Sequence, residues 1–144
     1  MSILAVEDDA TQQYVLRVVF ESFGMQADIV SSAERAIDYL FNQKRDYSLV
    51  LMDIRLPGMD GFDCTREIRQ RQQKSKFKIP IIAVTAYASI DDRALCLAAG
   101  MDDYISKPYE LEAFKKLINK HLEQSHGFRD QNQNDSVQSE RSQY

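Results

Sequence analysis

Four places in this sequence carry side chains able to act on charge. They are the acidic run Glu7-Asp8-Asp9, the single carboxylate Asp53, the hydroxyl of Thr85 and the ammonium of Lys107. Each directly follows a short apolar segment that reads as a buried strand: Ile3-Leu4-Ala5-Val6, Ser48-Leu49-Val50-Leu51-Met52, Ile79 to Val84, and Tyr104-Ile105-Ser106. If the strands before Glu7 and Asp53 are neighbours, Glu7, Asp8 and Asp53 converge, because adjacent strands lie about 4.8 Å apart. Three clustered carboxylates repel one another unless a cation joins them. The all-oxygen donor set suits a hard divalent ion, and Mg²⁺ takes one or two carboxylates while keeping room for phosphate oxygens. Carboxylate, metal, ammonium and hydroxyl together are the parts of a phosphoryl-transfer site. The carboxylate attacks, the metal and ammonium offset charge on the equatorial oxygens, and the hydroxyl donates a hydrogen bond.

Helical patterns separate these strands. Asp9 can cap a helix that places Val15, Leu16, Val19, Phe20 and Phe23 on one face and ends at Gly24. Ala27 to Val30 is a weaker strand, followed only by Ser31-Ser32. Ser31 to Glu34 reads as a capping box opening a helix with Ala36, Ile37, Leu40 and Phe41. Leu56 to Gly61 is rich in turn residues, and a helix with a thin apolar stripe is expected from about Phe62 to Gln73. Asp60 and Gly61 fit a turn and helix start and are assigned no chemistry. A short helix spans Asp91 to Ala99, and a last one spans Glu110 to Gln124 with Leu111, Phe114, Leu117, Ile118 and Leu122 inward. Strand and helix alternate five times. The fold class is therefore α/β, a doubly wound parallel sheet with right-handed crossovers. In such sheets ligands sit at the carboxyl ends of the strands, where these four groups lie.

Composition narrows the classes further. The chain has 144 residues, about one domain, with a formal net charge of −4 and 44% apolar residues. No stretch approaches the roughly 18 consecutive apolar residues of a spanning helix, so no membrane insertion is expected. The acidic balance argues against direct nucleic-acid binding. The first residues run straight into acidic ones, unlike a secretory signal, and Met1 close to the first strand reads as a natural start. Cys64 and Cys96 make no CxxC and no metal spacing, which points to a reducing, cytoplasmic setting. From 125 to 144 only Phe128, Val137 and Tyr144 are apolar. That composition cannot offset the entropy of ordering, so the folded unit is expected to be 2–124, followed by a flexible polar tail, 125–144.

Four segments, in order, resemble a two-component response-regulator receiver domain. They are Ile3 to Asp9; Leu49-Val50-Leu51-Met52-Asp53-Ile54-Arg55-Leu56-Pro57-Gly58-Met59-Asp60-Gly61; Ile81 to Ala86; and Ala99 to Pro108, which includes Asp102-Asp103-Tyr104-Ile105-Ser106-Lys107. The resemblance spans essentially 2–124. It implies a flavodoxin-like (βα)5 fold with strand order 2-1-3-4-5. It implies that Asp53 is the phosphoacceptor, taking phosphate from a histidine kinase or a histidine phosphotransfer protein. It further implies Asp8 and Asp53 as direct Mg²⁺ ligands, Glu7 through water, and the backbone carbonyl of Arg55 as the remaining protein ligand. Lys107 should pair with a phosphoryl oxygen, with Lys107-Pro108 a cis peptide. Thr85 is then the switch hydroxyl and Tyr104 the aromatic that turns with it. The remodelled face, formed by the fourth helix, fifth strand and fifth helix, would control a downstream protein that the sequence does not identify.

Arg55 and Tyr87 stand two residues beyond the acceptor and the switch threonine, where large side chains are expected to shield an acyl phosphate. The run Arg66, Arg69, Arg71, Lys74, Lys76 and Lys78 reads as a solvated face, with docking to an acidic partner as the alternative. His121 and His126 read as surface residues. Other functions compete less well. An aspartate-nucleophile phosphatase usually needs a second Asp where Arg55 stands. A nucleotide site lacks GxxxxGK[ST] and GxGxxG. A receiver-like binding module that is never phosphorylated is the remaining alternative. A free-standing regulator and the receiver piece of a hybrid kinase both fit. Neither reading makes the chain an independent enzyme.

Overall fold

The structure, a computed structural model, describes residues 2–73, 78–86 and 90–124. The strands are β1 (Ser2–Val6), β2 (Gln26–Val30), β3 (Leu49–Asp53), β4 (Ile81–Thr85) and β5 (Asp103–Ser106). The helices are α1 (Ala10–Ser22), α2 (Ala33–Ile37), α3 (Gly61–Arg71) and α4 (Ile90–Ala99), with α5 spanning 111–124. All four strand pairings are parallel, and the order is β2-β1-β3-β4-β5. This is the doubly wound arrangement expected from the alternation of strands and helices, with the strand order that the resemblance implied.

The inner strands carry no polar alternation because both their faces are covered. Ile3, Ala5, Leu49, Leu51, Ile82 and Val84 pack with α1 and α5 through Leu16, Phe20, Phe114 and Ile118. Leu4, Val6, Val50, Met52, Ile81 and Ala83 face the other side, against Ala36 and Ile37 of α2, Cys64 and Ile68 of α3 and Cys96 of α4. Each fully buried aliphatic side chain contributes roughly 1.5–3 kcal/mol. The core therefore holds the strand ends, and the groups that follow them, in fixed register.

Caps set the helix starts. Asp9 accepts the N–H of Gln12 at the head of α1. Gly24 ends that helix with φ +69°, a left-handed conformation that a side chain disfavours. At α2 the cap is Ser32, which accepts the N–H of Arg35, one residue later than the expected Ser31. The helix continues from Ile37 into a π-helical turn, Asp38–Asn42. At α3, Asp60 accepts the N–H of Asp63, so the helix starts at Gly61 and ends at Arg71. Its thin stripe suffices because Cys64, Thr65 and Ile68 are buried, and the Thr65 hydroxyl donates to the Gly61 carbonyl at 2.8 Å.

Some single positions depart from the periodicity. Val15 and Leu111 are exposed, although both fall on the apolar faces that the spacing marks out. His121 is buried, its Nε2 3.1 Å from Asp103 Oδ2, because it follows Phe114 and Ile118 around the inner face of α5. Arg69 is not part of a solvated face. It donates to the carbonyls of Gly100 (2.9 Å) and Ile79 (2.7 Å) and to Asp102 Oδ2 (2.8 Å), tying α3 to the approaches of β4 and β5. Lys74, Lys76, Tyr87, His126 and the expected tail 125–144 lie outside the described residues.

Candidate functional site

Strand register assembles the site. β1 and β3 pair up to Val6–Met52, so the next residues, Glu7 and Asp53, emerge side by side. β3 and β4 pair at Asp53–Val84, which puts Thr85 one step beyond. β4 and β5 pair at Thr85–Ser106, which puts Lys107 one step beyond again. The Lys107 N–H donates to the Thr85 carbonyl at 2.7 Å, and Lys107-Pro108 is a cis peptide. The ligand atoms of Glu7, Asp8 and Asp53 all lie within 4.8 Å of one another.

Glu7 is tied on every side. Its N–H donates to the Val30 carbonyl at 3.0 Å. Its Oε1 accepts from Lys107 Nζ at 2.8 Å, and its Oε2 accepts the Asp9 N–H at 3.1 Å. Lys107 Nζ also lies 3.8 Å from Asp53 Oδ2, while Asp53 Oδ1 accepts the Arg55 N–H at 3.1 Å. Asp8 is exposed at the rim. A cleft of about 600 Å³ opens beside it, running from Asp8, Arg55 and Thr85 to Leu56, Phe62 and Leu95.

The Lys107 ammonium stands against Glu7 and Asp53, and the Asp8 carboxylate lies close to both of those acids. Burial, opposed by Lys107 and reinforced by Glu7, pushes the Asp53 carboxyl up to about 6. Burial alone would lower the Lys107 ammonium, but its hydrogen bond to Glu7 and the charges of Asp53 and Glu7 leave it raised. The excess of negative charge and the all-oxygen donors fit a hard divalent cation. These residues can hold one.

Thr85 is 1% exposed at the end of β4. Tyr104 lies opposite Ala83 on β5, is half-buried, and packs against the core between the sheet and α3–α4. Because side chains alternate along a strand, Thr85 and Tyr104 share the face that Ala83 uses. The Arg93 guanidinium lies 5.5 Å from the Tyr104 ring centroid. Glu7, Asp8, Asp53 and Lys107 thus converge, Thr85 stands on the adjoining strand end, and Tyr104 sits lower on the same side. Sequence reasoning missed one residue with a direct bearing on this geometry. Gly61 donates its N–H to the Ile54 carbonyl at 2.9 Å and packs against the backbone that carries Asp53. The only local signal was a glycine at a helix start.

The raised Asp53 carboxyl has a consequence for stability. A carboxyl whose folded pKa of about 6 exceeds its ordinary 3.8 stabilises the fold below pH 4. That contribution is lost as the pH rises through 6, and above it the ionised group is a net cost. The full shift would be worth about 3 kcal/mol, and solvent access reduces it to about 1–2 kcal/mol. Asp53→Asn is therefore expected to raise the melting temperature without divalent cations at pH 7.5. The gap should close by about pH 4; a gap independent of pH would show that charge is not its source.

The family described as "Response regulator receiver domain" matches residues 3–119. The chain is 38% identical over 128 residues to the two-component response regulator PhoP of Pseudomonas aeruginosa, covering 89% of this chain and 54% of that protein. It is 35% identical over 121 residues to the hybrid signal transduction histidine kinase L of Dictyostelium discoideum, covering 83% of this chain and 7% of that one. Among solved structures it resembles the receiver domain of a sensor histidine kinase from Pseudomonas aeruginosa PAO1, described with a magnesium ion coordinated in its active-site cleft. That likeness has TM-score 0.74 and 36% identity, covering 84% of this chain and 96% of that one. The chain thus spans between 7% and 54% of the first curated relatives it matches. Among the described residues, no helix is long and apolar enough to cross a membrane.

Proposed function

Because the chain belongs to the response-regulator receiver family, we propose that it accepts a phosphoryl group on Asp53 and uses it to switch a protein-binding face. The observation that carries this reading is the convergence of Glu7, Asp8 and Asp53 within 4.8 Å, with Lys107 beside Asp53. Asp53 Oδ2 faces Lys107, and the Arg55 N–H holds Oδ1 in place. A carboxylate oxygen of Asp53 attacks the phosphorus of a phosphohistidine. The P–N bond breaks, and the imidazole leaves with the electron pair and takes up a proton. Lys107 offsets charge on a phosphoryl oxygen, and the Thr85 hydroxyl donates to another.

Mg²⁺ is the proposed cofactor, held by Asp8, Asp53 and the Arg55 carbonyl, with Glu7 acting through water. When bound it neutralises charge on the transferring phosphoryl oxygens. The outer-sphere role suits Glu7, whose two carboxylate oxygens already accept from Lys107 and Asp9. Movement of Thr85 toward the phosphoryl group would free space that Tyr104 can fill. The acyl phosphate shifts the population only by its preference for that arrangement. The donor is proposed to be a sensor histidine kinase or a histidine phosphotransfer protein, by analogy with the hybrid-kinase and regulator relatives. The chain acts in the cytoplasm as a signalling domain on this reading.

The test is incubation with Mg²⁺ and a small phosphodonor such as acetyl phosphate, followed by intact mass. A gain of one phosphoryl group, absent in Asp53→Ala and without Mg²⁺, is expected. No gain in the unsubstituted chain would leave a receiver fold that binds partners without phosphorylation.

A further inference from the structure

One side chain outside the acidic cluster is tied to it by a short hydrogen bond. Gln13, half-buried on the second turn of α1, donates Nε2–H to the backbone carbonyl of Glu7 at 2.6 Å. Its backbone N–H donates to the Asp9 carbonyl at 2.9 Å. The Glu7 carbonyl belongs to the peptide that joins Glu7 to Asp8. Its orientation therefore sets the direction in which the Asp8 side chain leaves the chain. On the Glu7 side, Val30, Lys107 and the Asp9 N–H hold the residue. On the other side, Asp9 is fixed as the cap of α1. Asp8 lies between these anchors and is exposed.

Resting on the reading of this cluster as a divalent-cation site, we infer that Gln13 is a positioning residue for Asp8. It pins the Glu7–Asp8 peptide so that the Asp8 carboxylate faces Asp53 before a cation arrives. Without it the Glu7 carbonyl loses the donor that sets its direction, and part of the binding free energy goes into ordering that peptide. Partners that orient metal ligands in this way are commonly worth ten- to a hundredfold in metal affinity.

The test is a double-mutant cycle on the full chain, with Mg²⁺ titrated and followed by backbone amide NMR shifts. Gln13→Leu is expected to weaken Mg²⁺ binding about tenfold, and Gln13→Met, closer in length, should behave alike. In an Asp8→Asn background, either change should have little further effect, because the ligand that Gln13 orients is already gone. Unchanged affinity in the single variants would overturn the inference. So would an equal loss in both backgrounds, which marks a general structural effect. Failure of the underlying site reading looks different: Asp8→Asn and Asp53→Ala would themselves leave Mg²⁺ binding unaltered.

Discussion

Lys107→Ala is expected to slow phosphoryl uptake from a small donor by roughly a hundredfold or more, the usual cost of removing one charge-stabilising donor. It should also destabilise the fold by about 3 kcal/mol at neutral pH, because it strands a buried charge. Glu7 is 3% exposed and loses its 2.8 Å partner, while Asp53 loses the ammonium that holds its carboxyl down. For a domain of this size the melting temperature should fall by roughly 10 °C. The pH dependence identifies the cause. In the unsubstituted chain the raised Lys107 ammonium supplies stability at all pH values below its ordinary 10.5, and this is lost only as the pH rises through the folded value. In the variant the deficit should shrink toward pH 4 as Asp53, its carboxyl already raised by burial, takes up a proton, and Mg²⁺ should recover part of it at pH 7. Denaturant unfolding at three pH values measures this. A deficit constant from pH 7.5 to pH 4 would assign the loss to packing of the lysine stem.

Gly61→Ala should be comparably severe and for a purely steric reason. A Cβ there would run into the Asp53 carbonyl oxygen and lie 2.8 Å from Ile54 Cα. Both neighbours are backbone of the strand end that carries Asp53, and neither can swing aside as a side chain would. Either α3 shifts outward, breaking the Gly61–Ile54 hydrogen bond, or the Asp53 backbone moves. A loss of about 3 kcal/mol, together with slower phosphoryl uptake, is expected. Gly24→Ala is the useful comparison. Its Cβ would meet nothing within 4 Å, but φ is +69°, so the cost should be only about 1–2 kcal/mol, with phosphoryl uptake unchanged. Equal stability for Gly61→Ala and the unsubstituted chain would mean that α3 can move without cost.

The acidic run, Asp53, Thr85 and Lys107 were legible because each follows an apolar segment short enough to be a strand, and a parallel sheet places all such ends together. Helix boundaries were less legible. Ser31 and Ser32 are chemically equivalent caps, and only the path from Val30 into α2 selects Ser32. His121 and Arg69 misled for a related reason. Polar residues are usually outside, and burial of these two depends on partners far along the chain, Asp103 for one and Gly100, Ile79 and Asp102 for the other. Val15 and Leu111 misled in reverse, since periodicity locates a helical face but not how much of it the tertiary packing covers.

By itself, then, the sequence determined the alternation of strands and helices, the strand-end identity of the reactive groups, and the acid-rich chemistry of their cluster. These depend on local hydrophobic pattern and residue type. The tertiary structure decided which contacts those groups make. Lys107 sits on Glu7 at 2.8 Å and stands 3.8 Å from Asp53, Gln13 donates to the Glu7 carbonyl, and Gly61 leaves room for the backbone that carries Asp53. Those distances follow from parallel register and helix docking. Both couple residues as far apart as Glu7 and Lys107, and no local pattern encodes them.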